Sequence, residues 1–264
     1  MYNFKFHKVD KIEDAVAILS SAEDPKILSG GHTLIPTLKQ RLSQPTDVID
    51  ISNIDGLKSI KNNGDAITIG ALCTHNQVAA SMDVQSEIVG LASMASQIGD
   101  PQVRHRGTIG GSIANADPAA DYPAAVLALD AQINTSSNSY NSDDFFIDMF
   151  ETAINSDEII TSIDFKIPKK SVYKKFRNPA SGYAMAGVFI AIYEKGIRVA
   201  ITGASTTAFR LHDLEKKLEN NFSVDVLNDF NADTTNYNSD IHASAKYRGN
   251  LVKVLLEEAI AQLV

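Results

Sequence analysis

Between Gln97 and Pro123 the chain reads QIGDPQVRHRGTIGGSIANADPAADYP. Gly99, Gly107, Gly110 and Gly111 stand there beside Arg104, Arg106, Thr108, Ser112, Asp117 and Asp121. These residue types suit ligand binding better than bond-breaking. Glycines let a backbone take positive φ and approach a ligand closely. Successive N–H groups in such a turn can form an anion-binding concavity. A carboxylate such as Asp121 can accept from the hydroxyls of a sugar or ribityl chain. Arg104 and Arg106 could meet phosphate, but bracing the loop through backbone carbonyls is the preferred reading. The competing interpretation is a tight structural turn between two helices.

A second glycine turn, Ser29-Gly30-Gly31-His32-Thr33-Leu34, follows a short strand expected at Lys26–Leu28. It leads into a helix with an apolar face of Leu34, Leu38 and Leu42. A strand, a paired-glycine turn and a helix start make a plausible pyrophosphate cradle. Neither turn is a dinucleotide fingerprint, since no G-x-G-x-x-G occurs. No P-loop is present either: Gly182 to Gly187 has the glycine gap but Val188 follows.

The elements that must position these turns read as a mixture of helices and strands. Strands are expected over Tyr2–Phe6, Thr46–Ile51, Ala66–Ile69 and Glu158–Ile167. Asp10 and Glu13 are spaced as a capping box for a first helix, and Thr74 and Gln77 for another. Helical spacing recurs at Ile88, Leu91, Ala95 and Ile98, and a helix starts near Asp121 and Pro123. Asn134–Asp144 reads as an exposed hairpin loop and Phe145–Thr152 as a short helix. Beyond Val172, Ala184–Tyr193 and Gly196–Gly203 read as an antiparallel hairpin. Helices follow around Leu211–Leu218 and from about Ala243.

With 44% hydrophobic and 21% charged residues, the chain can build an ordinary globular core. A net charge of −8 argues against non-specific nucleic-acid binding. No apolar run approaches a membrane span, and the N-terminal residues lack a secretory pattern, so a cytoplasmic protein is expected. The single cysteine, Cys73, excludes an internal disulfide and any iron–sulfur cluster held by this chain's own thiolates. It is expected to be a small buried residue, and His75 a surface residue.

Longer stretches carry a resemblance: SGGHTLIPTLKQRL at 29–42, TIGALCTH at 68–75 and GDPQVRHRGTIGGSIANADPAADYPA at 99–124. Others are ETAINSDEIITSIDF at 151–165, YKKFRNPASGYAMAGV at 173–188 and SDIHASAKYRGNLVKVLL at 239–256. Together they resemble the flavin-binding (medium) subunits of molybdenum hydroxylases, of the aerobic carbon monoxide dehydrogenase and xanthine dehydrogenase type.

That resemblance implies an α+β fold. Residues 1–170 would form a two-lobed FAD-binding domain of the vanillyl-alcohol-oxidase (PCMH) type, with lobes of about 1–54 and 60–170. Residues 171–264 would form a small C-terminal α/β domain with an antiparallel sheet. FAD would lie non-covalently between the lobes. Ser29, Gly30, Gly31, His32, Thr33 and Leu34 would hold its pyrophosphate. Thr108, Ile109, Gly110, Gly111 and Ser112 would hold the phosphates or ribityl region, and Asp121 would bond hydroxyls. Ile160 would lie against the ring system or adenine, and Lys175 would approach the isoalloxazine.

The resemblance further implies two partners, a large molybdenum–pterin subunit and a small subunit with 2Fe–2S clusters. This chain would take electrons from those clusters and pass them to NAD, a quinone or oxygen. The alternative is a self-contained FAD-dependent oxidoreductase acting on its own small substrate.

Overall fold

The computed structural model describes residues 1–264, and three sheets organise it. The first is parallel, with Asp47–Asp50 between Lys5–Lys8 and Pro25–Leu28. Parallel neighbours require crossovers. The helices Ile12–Ser21 and Leu34–Lys39 lie in those connections. The Ser29 turn therefore begins where a strand ends at the edge of this sheet.

The second sheet has five antiparallel strands in the order Ile60–Asn62, Ala66–Gly70, Ile160–Lys166, Gln132–Thr135 and Ser139–Asn141. Ile67 and Ile69 alternate inward along one strand, and Ile163 and Phe165 along its partner, all fully buried. A run of short helices between His75 and Ala128 covers that face, packing Val84, Leu91, Met94, Ile113 and Tyr122 into the same core.

The third sheet comprises Lys170–Arg177, Ala184–Ile192, Ile197–Thr202 and Phe209–Arg210. It is buried on both faces, which is why its middle strand is apolar almost throughout. Tyr173, Phe189, Ala191 and Ala200 join the helix-covered core of the second sheet. The intervening Val172, Val188, Ile190, Val199 and Ile201 pack with Leu251, Val252 and Leu255 of the C-terminal helix Ala245–Leu263. Period-two alternation thus sends successive side chains into two different cores. No helix is long and apolar enough to cross a membrane.

Three local expectations are corrected. The Gln97–Pro123 stretch is mostly helical: Pro101–Arg106 and Ile109–Asn115 are short helices within it. Asp100 and Thr108 cap them by accepting from the N–H groups of Val103 and Gly111, at 2.8 and 3.2 Å. Phe145–Thr152 is not a helix. Phe145 is fully buried, Phe146–Asp148 pairs with Glu151–Thr152, and Phe150 takes a left-handed φ at the tip. The first helix has no capping box, because the Asp10 carboxylate accepts from Asn53 Nδ2 instead.

Candidate functional site

The two glycine turns face one another across a cleft of about 800 Å³. That volume lies within the range of roughly 300–1,000 Å³ usual for small-molecule sites. Ser29 Oγ and Thr108 Oγ1 meet at 3.0 Å at the junction. Gly30 makes the close approach possible. A Cβ there would fall on the Arg106 carbonyl and 2.9 Å from the Gly107 Cα.

The turns differ in what they offer. The N–H groups of Gly30, Gly31, His32 and Thr33 have no partner within the protein. Four consecutive free donors at a cleft wall match a phosphate or pyrophosphate. The Thr108 turn is instead satisfied internally. Its Ile109 and Gly110 amides donate to the carbonyls of Cys73 and Ala71, at 3.0 and 2.9 Å. Those of Gly111 and Ser112 donate to the Thr108 side chain and carbonyl. This turn presents hydroxyls and bare glycine backbone, not the nest of free amides that its composition indicated.

All the residues assigned from the sequence to hold FAD line the cleft except Ile109 and Lys175. Ile109 is wholly buried in the core, where it anchors the turn. Asp121 lies in the cleft wall and accepts from the Tyr173 hydroxyl and from Lys175 Nζ, the latter at 3.0 Å. Burial pushes the Asp121 carboxyl above its ordinary range, against the opposing pull of the Lys175 charge and the Tyr173 hydrogen bond. Lys175 also donates to the Gln97 carbonyl, at 3.3 Å. It stands behind Asp121 and not on the cleft surface. Ile160 is placed in the wall beside a β-bulge in its pairing with Gln132–Thr135, a device that re-aims side chains.

Arg104 is a brace: its guanidinium donates to the Ile98 and Gly99 carbonyls at 3.0 and 3.2 Å. Cys73 is buried, and burial pushes its thiol up to about 11, so it is not a thiolate near neutrality.

The reading of His75 as a surface residue is wrong. It is 5% exposed and lines the cleft. The Thr74–Gln77 capping box forms as expected, and it holds His75 at the first helical position, against Gly107. Burial, with His32 and Arg104 nearby, brings its imidazole down to about 4. The sequence signal was present in that capping box, which fixes the helix start directly after a buried strand. Tyr183, for which the sequence leaves a place near the flavin edge and a core role equally open, lines the cleft and is 45% exposed. Glu158 is a further lining residue that the sequence did not single out.

The family model described as "FAD binding domain in molybdopterin dehydrogenase" matches residues 2–170. The chain belongs to this family. The flavin domain thus includes both glycine turns, and the chain is of an oxidoreductase lineage. Among curated relatives, the medium subunit of nicotine 6-hydroxylase from Paenarthrobacter nicotinovorans is 33% identical, covering 95% of this chain and 94% of the relative. The medium chain of glyceraldehyde dehydrogenase from Sulfolobus acidocaldarius is 34% identical, with 98% of each chain covered. In a solved structure of carbon monoxide dehydrogenase from Hydrogenophaga pseudoflava, a chain 30% identical superposes with a TM-score of 0.89. That match covers 98% of this chain and 96% of the other.

The cleft fits the flavin cofactor on its own geometry. The free amides on one wall suit a pyrophosphate. Hydroxyls and a carboxylate line the other, and Ile98, Ile154 and Ile160 add apolar lining.

Proposed function

We propose that this chain is the FAD-binding electron-transfer subunit of a molybdenum hydroxylase complex. In this reading it takes electrons from 2Fe–2S clusters of a small partner subunit and passes them to NAD, a quinone or oxygen. A large molybdenum–pterin subunit would oxidise the substrate. We also propose a cytoplasmic location, and a division into a flavin domain ending near Lys170 and a C-terminal domain after it.

The observation that carries the proposal is the pairing of the two glycine turns across one cleft, with the free amides of Gly30–Thr33 on one side. Bound FAD supplies the redox chemistry, exchanging electrons in one- or two-electron steps. The protein's own residues bind and orient it. The Ser29 turn holds the pyrophosphate non-covalently, and the Thr108 and Ser112 hydroxyls meet the phosphate or ribityl region. Asp121 keeps acceptor capacity for a ribityl hydroxyl beyond its bonds to Tyr173 and Lys175. Ile160 gives an apolar face to the ring system or adenine. Lys175 acts from behind, holding Asp121 in place.

The test is affinity purification of the tagged chain from its native host. Co-purification of FAD, molybdenum and 2Fe–2S absorption is the expected result. A monomer that carries FAD and oxidises a small substrate alone would overturn the electron-transfer reading in favour of a self-contained oxidoreductase.

A further inference from the structure

Gly30, Gly107 and His75 form a continuous stack at the base of the cleft. A Cβ on Gly30 would lie 2.9 Å from the Gly107 Cα, and one on Gly107 would lie 2.6 Å from His75 Nε2. The imidazole therefore sits directly behind the turn whose four amides are free. Its other nitrogen, Nδ1, is buried with no hydrogen-bond partner. The Tyr122 hydroxyl is buried and unpartnered too, on a ring whose centroid is 5.4 Å from that of His75. Two orphaned polar atoms are a costly arrangement in a core. They mark a site organised for a state in which something else is present.

We propose that His75 is a further anion-binding residue of the flavin cleft, and that it takes up a proton when the pyrophosphate of FAD settles on the Ser29 turn. The proposal rests on the reading of the cleft as an FAD site. In the ligand-free protein the imidazole is neutral. It is buried, and the groups acting on it are His32 from the Ser29 turn and Arg104 from the Pro101–Arg106 helix, which both oppose a positive charge. The Pro101–Arg106 helix also carries His105 and Arg106, and Asp121 precedes Tyr122 on the other side. The Val89–Ser96 helix brings no ionisable group. The Met82–Glu87 helix brings only the exposed Asp83 and Glu87. No carboxylate is hydrogen-bonded to His75. An arriving dianion supplies the missing negative charge, and an opposite charge this close favours the protonated form. The proton comes from solvent, and no bond of the cofactor is made or broken. Protonation also turns Nδ1 into a donor.

Calorimetric titration of FAD into the deflavinated full-length chain tests this, between pH 5 and 7 and in buffers of differing ionisation enthalpy. Wild type is expected to take up a proton, with Kd rising as pH rises, by up to about tenfold per pH unit where uptake is complete. His32→Gln is expected to bind more weakly and keep the uptake; His75→Gln is expected to lose it. Should His75→Gln fail to fold, the imidazole resonances of ¹⁵N-histidine wild type serve instead. One buried histidine must move from neutral to protonated on FAD addition. FAD binding without proton uptake, uptake that survives His75→Gln, or an imidazole neutral in both states overturns the proposal. Failure of wild type to bind FAD at all overturns the flavin reading itself, and this inference with it.

Discussion

The hydroxyls of Ser29 and Thr108, 79 positions apart in the chain, meet at 3.0 Å where the two turns of the cleft touch. Thr108 does two things at once. By accepting from the Gly111 N–H it caps the Ile109–Asn115 helix, and it joins the opposite turn. Thr108→Val keeps the shape and removes both. Loss of an N-cap alone costs about 1 kcal/mol. The variant should fold with a lowered melting temperature and bind FAD roughly tenfold more weakly, an energy of about 1.4 kcal/mol. Unchanged FAD affinity by fluorescence titration would show that the turns do not need this link.

Gly110 and Gly30 each let a turn of the cleft pack against the protein's own backbone. A Cβ on Gly110 would lie 2.6 Å from the Ala71 Cβ and 2.8 Å from the Ala71 carbonyl oxygen. Gly110→Val therefore fails by forcing the turn off its own strand, and not by filling the space of the ligand. It should lose FAD together with thermal stability. Gly30→Ala meets the Arg106–Gly107 backbone, on which the Ser29 turn rests at the base of the cleft. Parallel melting curves and FAD titrations should show the larger stability loss in Gly110→Val, with flavin binding impaired in both.

His32 follows the paired glycines, which raises covalent flavin attachment as a question. Non-covalent binding predicts that acid precipitation of the holoprotein releases all yellow colour into the supernatant. Colour retained in the pellet and mapped to His32 by peptide mass spectrometry would reverse that assignment.

Much of this site was legible because turn chemistry is local. The Ser29 turn, the Thr74–Gln77 capping box and the Ala184–Gly203 hairpin are each specified by a few adjacent residues, and each forms where expected. Properties set by distant partners were not legible. Nothing near Asp121 in sequence announces the Tyr173 and Lys175 side chains that bond it, from 52 and 54 positions away. The amides of the Thr108 turn were misjudged for the same reason, since Ala71 and Cys73 consume two of them. Phe145–Thr152 was misread because Phe145 is held in the core beneath the antiparallel sheet by residues distant in sequence, and the residues after it fold back as a short strand pair.

Lys175 and Asp121 form an ion pair with side chains 1% and 5% exposed. Lys175→Met leaves a buried carboxylate with only the Tyr173 hydroxyl, and breaking a buried pair from one side costs about 3–5 kcal/mol. Denaturant unfolding should show that loss. The double variant Lys175→Met/Asp121→Asn should recover most of it, because the uncompensated charge is gone. A double variant as unstable as the single one would mean that Lys175 acts through packing.

His75 should make the deflavinated protein acid-sensitive in a defined window. Its imidazole falls from 6.5 to about 4 on folding, so the unfolded chain binds the proton more readily. A folded value below the unfolded one gives stability that is complete above pH 6.5. That stability is lost as pH drops towards 4, by up to roughly 3 kcal/mol. His75→Gln cannot take up the proton in either state. Unfolding free energies measured at half-unit steps should therefore show a shallower pH slope for the variant, with the two curves converging as pH falls. Parallel curves across the whole window would mean that His75 titrates alike in the folded and unfolded chains, and that its burial does not suppress its charge.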